Sequence, residues 1–76
     1  MKIRKIGERV SWAASPTAPD CRTVYTGEIT EVDGALAYVR DDGWGATSGV
    51  RMDMLHDEGA FEILRSGPRG IRWTDR

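Results

Sequence analysis

The chain has 76 residues, 39% of them hydrophobic and 30% charged, with a formal net charge of -1. That is the composition of one small globular domain, and it excludes a large enzyme fold with a deep private pocket. The longest apolar run, Ala35-Leu36-Ala37-Tyr38-Val39, falls far short of the roughly 20 residues that span a bilayer.

The elements read as short strands separated by turn residues. Gly7–Trp12 alternates, with Val10 and Trp12 on one face and Arg9 and Ser11 on the other. Ala13–Arg22 contains Pro16 and Pro19 among Ser, Thr and Asp, so it is a long loop. Thr23–Val32 is rich in Val, Ile, Thr and Tyr, and Gly27 inside it predicts a bulge or sharp bend. Asp33-Gly34 is a hairpin signal because both residues tolerate positive φ, and Ala35–Arg40 is the returning strand.

A second loop, Asp41–Gly49, carries three glycines and an exposed Trp44. Val50–Met54 alternates as a strand, with Val50, Met52 and Met54 inward. Leu55–Gly59 suits a single 3₁₀ turn. Ala60–Leu64 is the last strand, with Phe61 and Ile63 on one face. Five short strands and no helical periodicity predict an all-β, small five-stranded barrel over residues 1–66 with a basic C-terminal tail at 67–76. Ile71 and Trp73 are the tail residues able to fix it to the body. The expected core is Ile6, Val10, Ile29, Val32, Ala37, Val39, Val50, Met52, Leu55, Phe61 and Ile63.

Gly7-Glu8-Arg9-Val10, Gly27-Glu28-Ile29, Val32-Asp33-Gly34, Tyr38–Gly43 and Leu55 together resemble the SH3-like small β-barrels of KOW, Tudor and bacterial SH3-like modules. The resemblance covers about residues 7–64 and implies a fold rather than a job. Gly7-Glu8-Arg9-Val10 and Gly27-Glu28-Ile29 are also similar to segments of the plasmid-borne type II dihydrofolate reductases, which are SH3-like homotetramers with a central pore. Where that family has a Val-Gln-Ile-Tyr run, this chain has Val50-Arg51-Met52-Asp53.

Charge is unevenly placed. Residues 1–9 carry Lys2, Arg4, Lys5 and Arg9 against Glu8, a balance of +3. Residues 65–76 carry Arg65, Arg69, Arg72 and Arg76 against Asp75, again +3, and residues 10–64 total -7. The basic ends are candidate phosphate contacts, with Arg4, Lys5, Arg65, Arg69 and Arg72 as the named residues of a nucleic-acid reading. The acidic body invites a basic partner.

Catalytic, cofactor-binding and metal sites are not expected. One cysteine, Cys21, and one histidine, His56, exclude an intrachain disulfide and a Cys/His zinc site. Asp53, His56, Asp57 and Glu58 read as a surface turn. Cys21 beside Arg22 has only His56 as an imidazole partner. Asp41 and Asp42 are adjacent in a glycine-rich loop and read as turn residues.

The aromatics say more. In SH3-like barrels the loops after the first and third strands lie near one another, so the resemblance implies that Trp12, Tyr38 and Trp44, rimmed by Asp41 and Asp42, line one shallow patch. An aromatic patch beside acid holds a cation, or a proline-rich or basic peptide. The expected function is therefore a non-catalytic interaction module, a small accessory or regulatory protein of phage or plasmid type, binding a protein or peptide partner. Nucleic-acid binding and a reductase-like homotetramer are the alternatives. No signal-peptide core follows Met1-Lys2-Ile3-Arg4-Lys5, so the expected location is cytoplasmic.

Overall fold

A computed structural model describes residues 3–75. Lys2 and Arg76, counted among the basic ends, lie outside the described residues. The protein is all-β apart from one 3₁₀ turn. The strands are β1 (Arg9–Ala13), β2 (Val24–Asp33), β3 (Leu36–Asp41), β4 (Thr47–Arg51), β5 (His56–Asp57), β6 (Phe61–Ile63) and β7 (Ile71–Trp73), with the 3₁₀ turn at Met52–Met54. The first five form one antiparallel sheet in the order β4-β3-β2-β1-β5, and β6 pairs with β7 in a separate hairpin. The arrangement is compatible with a small barrel-like fold. No helix among the described residues is long and apolar enough to cross a membrane.

Strand β2 serves both halves of the sheet. Its first residues pair with β1, from Val24 opposite Ala13 to Glu28 opposite Arg9. Its later residues pair with β3, from Gly27 opposite Asp41 to Asp33 opposite Leu36, with a bulge between Ile29 and Glu31. Gly27 sits where the two pairings overlap. It is fully packed, and a Cβ there would overlap the Arg40 carbonyl, so the strand crosses its neighbours only because the residue has no side chain. Gly27 thus marks the point where β2 passes between its two partners, and the bulge lies three residues further on.

The β2–β3 hairpin turns one residue later than Asp33-Gly34 suggests. Asp33 is still paired, and Gly34-Ala35 form the turn. Gly34 has φ +62° while Ala35 keeps negative φ, the pattern of a turn with glycine at its first central position.

Two further expectations change. Val50–Met54 is not one strand. β4 begins at Thr47, inside the presumed loop, and the chain coils at Met52, where the Leu55 N–H donates to the Met52 carbonyl at 3.2 Å. A 3₁₀ turn places i and i+3 on one side, and Met52 and Leu55 are both buried. The fifth strand of the sheet is then His56–Asp57, where a turn was expected, and Ala60–Leu64 instead contributes β6 to the hairpin.

The core consists of Val10, Trp12, Ile29, Ala37, Val39, Met52 and Leu55, with Tyr25, Val32 and Val50 packed at its edge. Ile6 (66% exposed) and Ile63 (39% exposed) stay outside it. Ile6 lies in a turn before β1, and the β6–β7 hairpin is too narrow to bury both of its faces. Phe61 is half-buried against Trp73. Ser11, expected on the outer face, is fully buried. Its hydroxyl is satisfied by the Thr26 hydroxyl at 2.8 Å and by the Gly59 N–H at 3.1 Å.

Gly27→Ala is expected to cost about 3 kcal/mol in urea unfolding, through backbone overlap that no rotamer relieves. Gly49→Ala is the control. The atoms nearest a Cβ there, in the Leu36 and Tyr38 side chains, lie at an ordinary contact distance of 3.5 Å, and stability should move by less than about 0.5 kcal/mol.

Candidate functional site

Two strand ends and one loop build an open cleft of about 500 Å³. Trp12 near the end of β1 stands opposite Tyr25 near the start of β2. Their rings are 6.2 Å apart and tilted by 55°, a geometry that aromatic pairs favour. Val50 from β4 and Met54 from the 3₁₀ turn complete an apolar lining, and Ser48 and Gly49 form one rim.

The facing wall is the β3–β4 loop. The Asp41 N–H donates to the Ala46 carbonyl at 3.0 Å, the Gly45 N–H donates to the Asp41 carbonyl at 2.8 Å, and the Asp42 N–H donates to the Thr26 carbonyl at 3.0 Å. The Asp41 carboxylate accepts from the Trp44 N–H at 2.7 Å, a local side-chain turn of the kind aspartate forms. This fixes the backbone of Trp44 while its side chain stands in solvent, 83% exposed. Trp44 and Asp41 also line a smaller depression of about 300 Å³ beside Thr26 and Gly43, so the indole forms a wall between two hollows. Among the described residues, no cation pairs with the Asp41 carboxylate.

Of the five residues expected in the patch, Trp12, Asp41 and Trp44 share this cleft. Tyr38 does not line it. Ala37 and Val39 are buried, so Tyr38 points to the other face of β3, next to Leu36 and Gly49. Asp42 turns away to the Arg9 guanidinium, which also holds Glu58, and this pairing keeps the Asp42 carboxyl below its ordinary value. Tyr25 takes the third aromatic place. The strand ends expected from the sequence, Trp12 and Thr23, are each one residue out: Ala13 pairs with Val24, which sets Trp12 opposite Tyr25, so the sequence carried no signal for this pair.

A second cluster lies where the C-terminal strand meets the sheet. Arg4 is buried, with contacts at 2.7 Å to Glu8, 2.5 Å to Asp57 and 3.7 Å to Asp75, and it also donates to the Leu55 carbonyl. His56, buried rather than in a surface turn, contacts Asp75 through Nδ1 at 2.9 Å and stacks flat on Trp73 at 3.6 Å. Burial pushes the Asp75 carboxyl upward. The hydrogen bonds from His56 and from the Asp57 N–H outweigh it and leave Asp75 below its ordinary value. These contacts tie the segment 67–75 to the body, together with the Gly70 N–H on the Pro19 carbonyl and the Thr74 N–H on the Ala60 carbonyl, each at 2.8 Å. The neighbouring Arg22 guanidinium donates to the Leu64 and Gly67 carbonyls.

This burial removes Arg4 from the candidate phosphate contacts, because its charge is spent on three carboxylates. Arg72 is exposed but paired with Glu62. Lys5, Arg65 and Arg69 are exposed. Asp53 pairs with Arg51, and no group of three potential metal ligands occurs among the described residues. Cys21 is half-buried with its thiol 3.5 Å from the Thr23 carbonyl. The segment set against the reductase pore run divides, with Val50 and Arg51 on β4 and Met52 and Asp53 in the turn. Comparison with protein-family models, curated proteins and solved structures gives no match.

Asp75 gives a pH prediction. Its folded-state value is depressed, so its contribution is complete above the unfolded value of about 3.9. That contribution is lost as pH falls through the folded value. Asp75→Asn should therefore be less stable than the parent protein at pH 7, and the gap should shrink as pH falls below about 4. Urea unfolding at pH 7 and pH 3 measures it.

Proposed function

We propose that this chain is a non-catalytic interaction module that binds a protein or peptide partner by taking a cationic side chain into the Trp12–Tyr25–Trp44 cleft. One observation carries the reading. Three aromatic side chains from three separate segments line a single cleft with an aspartate that no cation neutralises among the described residues. Ring faces attract a cation by about 0.5–2 kcal/mol each when well placed, and a nearby carboxylate adds to that attraction. Arg51 on the rim is already paired with Asp53, so the uncompensated charge in the cleft is that of Asp41. The volume is within the range of side-chain and small-ligand sites.

Trp44 supports the same reading from another side. A tryptophan 83% exposed on a hydrogen-bonded loop contributes little to the core, whereas tryptophan is favoured as an interface anchor. The five-strand order, with a 3₁₀ turn between the fourth and fifth strands, supports the SH3-like reading of the fold.

The test is a host decapeptide with a central Lys, norleucine or Glu, titrated into the protein. The Lys peptide should bind about tenfold more tightly than the norleucine peptide, equivalent to about 1.4 kcal/mol, and the Glu peptide most weakly. Trp44→Ala should remove at least about tenfold of the Lys affinity with stability unchanged within about 0.5 kcal/mol. Equal affinity for the three peptides, or for Trp44→Ala, contradicts the reading. Binding of single-stranded nucleic acid at low salt, lost steeply as salt rises, would favour the basic ends instead.

A further inference from the structure

The cleft runs along an unpaired strand. β4 is the last strand of the five-stranded sheet and has β3 on one side only. Its backbone parity follows from two hydrogen bonds. The Ala46 carbonyl accepts from the Asp41 N–H, and the Met52 N–H donates to the Ala35 carbonyl. Even-numbered residues of β4 therefore face β3, and Thr47, Gly49 and Arg51 turn their N–H and C=O groups outward.

The two ends of this sheet differ. At β5 the edge is two residues long, and the Asp57 N–H is taken by the Asp75 carboxylate at 2.8 Å. At β4 the edge is five residues long. Thr47–Val50 carries no charge, no proline and no bulge, and Thr47, Ser48 and Gly49 are exposed. Proteins normally blunt such an edge with lysine, proline or a bulge.

From this edge, and resting on the cleft reading above, we infer that the partner is an extended basic peptide that adds to β4 as a sixth strand. A side chain reaching the cleft from the β4 side brings its own backbone over Thr47, Gly49 and Arg51. Covering those groups without hydrogen-bonding them is costly, and an extended chain satisfies them in register. The inner face of the sheet at β4 carries Ser48 and Val50, opposite the buried Val39 and Ala37. Residues two apart on an added strand would therefore point toward Trp12, Tyr25 and Met54, and those between them would point outward. The unneutralised Asp41 selects a cation at one inward position. Gly49 keeps the outer surface of the edge low, with the Leu36 and Tyr38 side chains nearest to it.

The probe is the central-Lys decapeptide. Backbone N-methylation at two residues flanking the Lys in one parity should lower its affinity at least tenfold, and methylation in the other parity should not. Gly49→Pro removes an outward N–H without touching the pairing to β3, and should give a comparable loss, whereas Gly49→Ala should not. On binding, the amides of Thr47, Gly49 and Arg51 should become protected from hydrogen exchange in the parent protein, a readout independent of any variant's folding. Insensitivity to both N-methyl parities and no new protection would overturn strand addition, and loss of binding in Trp44→Ala would then leave the cleft reading standing. Insensitivity to Trp44→Ala would overturn the cleft reading and this proposal with it. A parent protein that is dimeric by light scattering and monomeric as Gly49→Pro would assign the edge to a second copy and overturn the peptide as occupant.

Discussion

The missing side chain of Gly27 is the constraint on which the rest of the structure depends. It lets β2 pass against the Arg40 carbonyl and pair with β1 and β3 at the same residue. With a Cβ at that point the two halves of the sheet would be forced apart. The consequence for the site is direct. The first half of β2 brings Tyr25 to Trp12, and the crossing brings the end of β3 against Thr26, where the Asp42 N–H closes on the Thr26 carbonyl. The cleft is the space left between the strand ends on one side and the Asp41–Ala46 loop and β4 on the other.

A core of seven buried apolar residues among those described is small, and small domains bury too little surface to be stable on packing alone. Here the C-terminal hairpin adds to it. β7 lays Trp73 flat on His56 and sets Asp75 between His56 and Arg4, converting the far end of the sheet into a buried polar layer in which the Arg4 Nε is left without a hydrogen bond. Removing one member of such a layer is expensive because the others stay buried without it. The two ends of the sheet thus have opposite characters: β5 is sealed by charge pairing and stacking, and β4 is left open. The single exposed tryptophan lies on the loop leading into the open end.

Much of the fold was legible in the sequence because it rests on local signals. Alternation located β1, strand-rich composition β2 and the Asp-Gly signal β3, and Gly27 marked the point where β2 changes partners. The core positions Val10, Ile29, Ala37, Val39, Met52 and Leu55 followed from the same patterns. What was not legible depends on distant partners. Val50–Met54 alternates as a strand would, yet the burial of Met52 and Leu55 together favours a 3₁₀ turn there. His56 looks like a surface residue until Asp75, 19 positions away, is seen beside it. Arg4 in a basic N-terminal run reads as a free cation, and only the fold supplies its three carboxylates. In the cleft, Trp12, Asp41 and Trp44 lie together, as the loop proximity implied by the SH3-like resemblance suggests. Tyr38 was misplaced and Tyr25 missed, because face assignment across a hairpin needs the register and not composition.

The three tryptophans offer the most direct measurement. Trp12 and Trp44 line the cleft, and Trp73 stacks on His56 on the C-terminal hairpin. Each gives one indole N–H signal in a nitrogen–proton correlation spectrum. Titration with the central-Lys decapeptide should shift the Trp44 and Trp12 indole signals together, along one saturating curve, with Trp73 unmoved. A shift confined to Trp73, or binding that leaves Trp12 and Trp44 in place, would contradict the account.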